Sequence, residues 1–136
     1  MSDAEATQRI HSTMPLCATL GVRADRFDAE AVTLSLDWAA ELCTSNGLLH
    51  GGVLMALADS AGGACAFLNL PGDAVGTSTI ESKTNFFGGV TEGEVTATAR
   101  PLHAGFTTIV VETAVTAGDR LVAKVTQTQL ALRARD

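Results

Sequence analysis

The run HGGVLMALADSAGGACAFLNL, residues 50–70, carries a single carboxylate, Asp59, among small and apolar neighbours such as Met55, Ala56, Ala58 and Gly63. A buried carboxylate without a partner costs several kcal/mol, so its presence there needs a reason. Three reasons are open on the residues alone: a side of the segment that faces solvent, an acid satisfied by a backbone amide, or a carboxylate held in a cleft for chemistry. The start of the same run favours chemistry. If the run is a helix, Gly51 and Gly52 leave its first backbone N–H groups unobstructed, and these have no partner within the helix. The positive end of the helix dipole lies there too. It suits an anion, or a carbonyl oxygen that gains charge during a reaction. Glycine costs helix propensity, and a tight turn that requires it is the structural alternative.

The elements that must position these residues follow from periodicity. Residues 3–14 read as a helix, with Ser2 or Asp3 as cap, Ala4, Ile10 and Met14 on an apolar side, and Pro15 ending or redirecting it. Val22, Ala24 and Phe27 lead into a turn at Asp28-Ala29-Glu30. Val32, Leu34 and Leu36 then alternate with Thr33, Ser35 and Asp37 as a half-buried strand. Residues 39–49 form a loop. The run from 50 to about 69 is too long for a strand, and its apolar residues lie on almost every side, which predicts a central helix wrapped by other structure. Asn69-Leu70-Pro71-Gly72 stops it. Residues 75–90, 93–103, 107–115 and 121–132 are rich in Thr, Val and Ile, with turn signals between them. They predict a meander of long antiparallel strands. The expected whole is a single α+β domain over 1–136, a curved antiparallel sheet folded around one long helix.

Spacing adds a constraint. Gly51 and Asp59 are eight residues apart, roughly 12 Å along a helix at about 1.5 Å per residue. An attacking atom must come within about 3–3.5 Å of a carbonyl carbon. One helix therefore cannot offer both the Gly51 amide and the Asp59 carboxylate to one carbonyl. Two antiparallel copies across a two-fold axis can, and they do so twice.

The stretch Asn46-Gly47-Leu48-Leu49-His50-Gly51-Gly52 with Asp59 further on resembles the HGG…D signature of hotdog-fold thioesterases, of the phenylacetate-degradation and 4-hydroxybenzoyl-CoA types. Thr79-Ile80-Glu81-Ser82-Lys83-Thr84-Asn85-Phe86 is similar to the family's long strand after the helix, and Leu121-Val122-Ala123-Lys124-Val125-Thr126 to its final strand. The resemblance runs over roughly residues 21–132. It implies a hotdog fold and hydrolysis of an acyl thioester to free acid and CoA thiol. It implies no cofactor other than the coenzyme A of the acyl-CoA substrate. It also implies a homo-oligomer, dimer or dimer of dimers, with active sites shared between subunits. Asp59 is then the nucleophile or the general base on water, and the Gly51 N–H is the donor to the thioester carbonyl. His50 fixes the loop or contacts the thioester, and Thr79 orients the water. Asn46, Gly52, Glu81 and Lys83 are implied on the substrate-binding side.

Two departures stand out. Many members carry Asn six residues before the His, where this chain has Thr44. Basic residues that contact the nucleotide phosphates are replaced by Phe87-Gly88-Gly89 and Ala104-Gly105-Phe106. Lys83, Arg100, Arg120 and Lys124 are the cations left for that task, and a short-armed carrier or a non-CoA thioester stays open. A non-catalytic hotdog module that binds acyl-CoA or a partner protein is the rival reading. A hotdog hydratase fits the spacing poorly.

Other classes lack their residues. A formal charge of -6, a pI of about 4.9 and no Lys/Arg cluster argue against nucleic acid. There is no G-x-S-x-G elbow, and Ser60 and Ser78 have no His/Asp arrangement. His11, His50 and His103 are scattered, without HExxH or a Cys/His pairing, so no metal site is expected. Cys17, Cys43 and Cys65 are widely spaced and read as reduced thiols of a cytoplasmic protein, Cys65 in the core. The polar, acid-bearing N-terminus is unlike a signal peptide, and Gly, Asn, Asp and Thr interrupt each apolar run, so no membrane span is expected. His11 reads as a surface residue, and Trp38 as core or interface.

Overall fold

The computed structural model describes residues 1–135. Helix α1 (Asp3–Thr13) opens with a capping box. Ser2 Oγ accepts the Glu5 N–H at 3.2 Å, and the Glu5 carboxylate accepts the Ser2 N–H at 2.8 Å. Pro15 redirects the chain rather than ending helical structure. It starts a second, unexpected short helix, α2 (Pro15–Leu20), where its missing N–H costs nothing. His11 is half-buried, not a surface residue: its ring N–H donates to the carbonyl of Val22, just ahead of the first strand, at 2.6 Å and ties α1 to the start of the sheet.

Strands β1 (Arg23–Phe27) and β2 (Val32–Asp37) precede helix α3 (Gly51–Leu68), and β3 (Ala74–Phe86), β4 (Glu94–Ala104), β5 (Thr108–Ala117) and β6 (Arg120–Arg133) follow it. All pairings are antiparallel, in the order β1-β2-β4-β5-β6-β3. The expected meander holds for β4, β5 and β6 but not for β3. That strand crosses to the far edge and pairs with β6 from Ala74↔Arg133 to Phe86↔Ala123. Composition and alternation show that residues form a strand; they do not show which neighbour it takes.

Leu34 and Leu36 of β2, Val95 and Ala97 of β4 and Ile109 and Val111 of β5 are buried against Leu54, Leu57, Ala58, Ala61 and Cys65 of α3. The result is the hotdog arrangement, a curved sheet around one helix. The helix is not wrapped on every side, however. Gly52, Met55, Asp59 and Phe67 form an exposed stripe at helical spacing along α3. By length and composition α3 is apolar enough to cross a membrane, contrary to the reading of its Gly and Asp as interruptions; its inner side is the core of the sheet.

Candidate active site

The loop before α3 aims the helix. Thr44 N–H donates to the Leu48 carbonyl at 2.8 Å, and the Trp38 indole N–H donates to the Gly47 carbonyl at 2.9 Å. Asn46 sits at the exposed tip of this turn with φ 64°, a left-handed conformation that Asn tolerates better than most residues. Its place is accounted for by the turn. His50 is the N-cap of α3, and its Nδ1 accepts the Gly52 N–H at 2.8 Å. That bond commits the Gly52 amide within the chain, and it requires Nδ1 to be the unprotonated nitrogen. Val53 N–H donates to the His50 carbonyl. Among the described residues nothing accepts from the Gly51 N–H.

Both glycines also have packing reasons. A Cβ at Gly51 would stand 3.3 Å from the Phe86 ring, and one at Gly52 would stand 2.9 Å from His50 Nδ1. Phe86, the last residue of β3, thus lies against the first turn of α3.

Asp59 lies on the exposed stripe of α3, as one of the non-catalytic readings of the sequence allowed. Its protein partner is Gln127 on β6, whose Nε2 donates to Asp59 Oδ1 at 3.5 Å. Gln129 Nε2 donates to Gln127 Oε1 and to Thr79 Oγ1, both at 2.6 Å. Gln127 and Gln129 were missed in the sequence. The signal was present: in β6 the alternation puts both on the face of Val125 and Ala131, where a buried strand face is ordinarily apolar.

A bulge in β3 sorts the remaining candidates. Thr79 pairs with Gln129 and Glu81 with Thr128, so Ile80 is the extra residue between them. Thr77, Thr79, Ser82, Thr84 and Phe86 face α3 as a consequence. Glu81 and Lys83, paired with Thr128 and Thr126, face the other side of the sheet. Glu81 and Lys83, expected on the substrate-binding side, therefore lie on the face of the sheet away from the Asp59 of their own chain. One extra residue reverses which side chains a strand presents.

Beyond Asp59 the stripe leads into a cavity of about 260 Å³, lined by Ile10 and Met14 at the α1–α2 junction, Phe27 of β1, Gly63 and Phe67 of α3, and Thr77 of β3. A Cβ on Gly63 would meet nothing within 4 Å, so this glycine opens onto free space. Arg120 lies at the opposite end of the sheet. It donates to the Gly89 carbonyl at 3.1 Å, in the segment that packs on Leu48. Lys124 is held by Glu112 at 2.8 Å. Among the described residues no group of His, Cys, Asp and Glu could hold a metal ion. The three cysteines are free thiols, and burial pushes Cys65 up to about 11 and Cys17 in the same direction.

A family profile, the Thioesterase superfamily, matches residues 46–124. The chain belongs to that superfamily. The match takes in the His50 cap, all of α3 and the bulged strand β3, and it ends before Gln127. Among individual relatives, PA1618 of Pseudomonas aeruginosa, which carries a provisional esterase name, is 36% identical over 89 residues, 65% of this chain and 61% of PA1618. The alignment thus spans less than two thirds of that relative. Rv1847 of Mycobacterium tuberculosis, with a similar provisional name, is 30% identical over 98 residues, 71% of this chain and 70% of its own. Its solved structure covers 90% of this chain and 100% of its own at a TM-score of 0.85 and 27% identity. The structure of a variant of thioesterase PA1618 covers 94% of both chains at a TM-score of 0.86 and 26% identity.

Proposed function

We propose that this chain hydrolyses acyl-CoA thioesters in sites built by two copies, with Gly51 from one and Asp59 from the other. The observation that carries the reading is the pairing of a free Gly51 N–H with an exposed Asp59 on one unbroken helix. At about 1.5 Å per residue the two are roughly 12 Å apart, too far to serve one carbonyl together. An antiparallel second α3 centred near Met55 brings each Asp59 to the other copy's Gly51. The outer edge of β3 is unpaired, and Met55, Ile80, Phe86 and Phe87 are exposed around it. Such an edge favours association. Both features support a second copy of the chain as the cover.

In the proposed reaction the Gly51 amide and the positive end of α3 polarise the thioester carbonyl. The Asp59 carboxylate takes a proton from water as the water oxygen attacks the carbonyl carbon, or it attacks directly and the resulting anhydride is hydrolysed. The C–S bond breaks, the thiolate takes up a proton, and free acid and CoA thiol leave. Thr79 Oγ1 accepts from Gln129, so its own O–H is available to donate to the water oxygen. The acyl group extends past Gly63 into the 260 Å³ cavity. An engineered apolar cavity of about 150 Å³ takes benzene, so acyl groups of aryl or medium-chain size suit this one. Arg120, beside Gly88 and Gly89 beyond the end of β3, is the cation this reading assigns to the CoA phosphates, in support of which Lys124 is already paired with Glu112.

The test is thiol release from acetyl-, hexanoyl-, octanoyl-, benzoyl- and phenylacetyl-CoA by the wild type and Asp59→Asn. Asp59 is exposed, so the variant folds; kcat is expected to fall by several orders of magnitude. Activity within about tenfold of wild type, near 1.4 kcal/mol in the barrier, would remove Asp59 from the reaction. Heat on titration with no thiol released would leave a binding module.

A further inference from the structure

Gln127 and Gln129 lie in the core at 0% and 1% exposure, beyond the stretch that matches the superfamily profile. A primary amide without partners is costly to bury, and the neighbouring inward positions of β6 hold Val125 and Ala131. A third residue is adjusted to the pair. A Cβ on Gly62, in the middle of α3, would meet the Gln127 carboxamide at 2.7 Å. Helix-interior glycine costs about 1 kcal/mol relative to Ala. Two buried amides and one helix glycine therefore serve a single chain of hydrogen bonds that ends on Asp59.

The direction of that chain is determined by its end. An ionised carboxylate only accepts, so Gln127 must turn its NH₂ toward Asp59 and its Oε1 toward Gln129. Gln129 must then offer NH₂ to Gln127, and its second N–H goes to Thr79 Oγ1. The Thr79 oxygen becomes an acceptor inside the fold, and its own proton is left for a different partner. Each group has one orientation compatible with a charged Asp59, and hydrogen bonds in such chains polarise one another.

We infer that Gln127 is a positioning residue: it holds the Asp59 carboxylate in one rotamer, while Gln129 locks Gln127 and makes the Thr79 hydroxyl a donor. The inference rests on the reading of Asp59 as the acting carboxylate. Gln127 touches no reacting atom; it acts through Asp59. Without it the carboxylate rotates freely, and the fraction aligned for attack falls while substrate contacts stay.

Two measurements test this. In the first, kcat and KM are compared for wild type, Asp59→Asn, Gln127→Met and Gln129→Met, each with a thermal melt. Met fills the space without a donor, but each single variant leaves the other buried amide without its partner, so Tm is expected to fall while the fold survives, and the double variant Gln127→Met/Gln129→Met, which removes both partners, is expected to recover most of that loss. For Gln127→Met kcat is expected to fall about tenfold or more with KM within about twofold, the pattern of a contact that matters only in the transition state. A dead Asp59→Asn beside a fully active, folded Gln127→Met overturns the inference and leaves the proposed function intact. An active Asp59→Asn overturns both. The second measurement needs no Gln variant and no turnover. The chain has three glutamines, Gln8, Gln127 and Gln129. With ¹⁵N-glutamine label, Asp59→Asn is expected to shift the side-chain NH₂ signals of Gln127 and, more weakly, Gln129, with Gln8 unmoved. An unchanged Gln127 signal overturns the inference.

Discussion

His50 accepts the Gly52 N–H on its own Nδ1 at 2.8 Å, and the same contact leaves Gly51 as the first amide of α3 free to meet a ligand. The histidine expected to fix the loop or to contact the thioester is the cap of the central helix. Its backbone, at φ -59° and ψ 133°, is extended, as a cap requires.

Removing the cap is measurable as stability. His50→Ala is expected to cost about 1 kcal/mol and to lower Tm by about 4 °C in a domain of this size. His50→Asn supplies a side-chain oxygen in place of the ring nitrogen as N-cap acceptor and is expected to recover most of the loss. A melt of His50→Ala at the wild-type temperature would show that the Gly52 contact contributes nothing.

The shared site can be tested by complementation. Gly51 is the first helical residue, where proline is tolerated, and His50 already has the backbone that precedes proline. Gly51→Pro therefore deletes one N–H with only a small push on the Phe86 ring at 3.3 Å. Alone it is expected to be inactive, as is Asp59→Asn. Unfolded and refolded together in equal amounts, the two variants are expected to regain about a quarter of wild-type activity, because half the dimers are mixed and half the sites in those are intact. A mixture as inactive as its parts would place both residues in one subunit's site.

Gly62 and Gly63 are adjacent in one helix and are expected to respond oppositely to the same change. Gly62→Ala drives a Cβ into the Gln127 amide at 2.7 Å and is expected to destabilise by up to about 2 kcal/mol, an overpacking cost of about 1–3 less about 1 gained in helix propensity. Gly63→Ala meets nothing within 4 Å and is expected to stabilise by up to about 1 kcal/mol through helix propensity. Gly63→Leu fills the cavity mouth, so octanoyl- and benzoyl-CoA are expected to lose kcat/KM relative to acetyl-CoA. Melts and the acyl panel read all three.

The thiols give a check on burial. Cys65 is buried and pushed up to about 11, so it is protonated at pH 8 and becomes a thiolate only as pH passes its raised value. Cys17 is buried and shifted the same way, also by burial first. Cys43 is half-exposed. With a disulfide reagent at pH 8, one thiol is expected to react fast and two only after denaturant is added. Three fast thiols would contradict the packing of α3 on the sheet.

Local pattern determined much of this protein. Ser2 stood with Asp3 as a candidate cap of α1, the length and composition of residues 50–70 announced α3, and period-two alternation announced β2. Asp59 and Gly51 were conspicuous as well, a lone acid and a glycine pair in an apolar helix, and their spacing calls for two chains if both are to act on one carbonyl. The tertiary structure decided what depends on register and on neighbours. It moved β3 away from β4 to the far edge, and through the bulge at Ile80 it put Thr79 on the inner face and Glu81 and Lys83 on the outer. It also joined Gln127 and Gln129 to Asp59 from a strand 68 residues further along the chain. Local periodicity reports which face a residue takes within its own element, whereas a one-residue slip or a change of partner strand is set by contacts between elements distant in sequence.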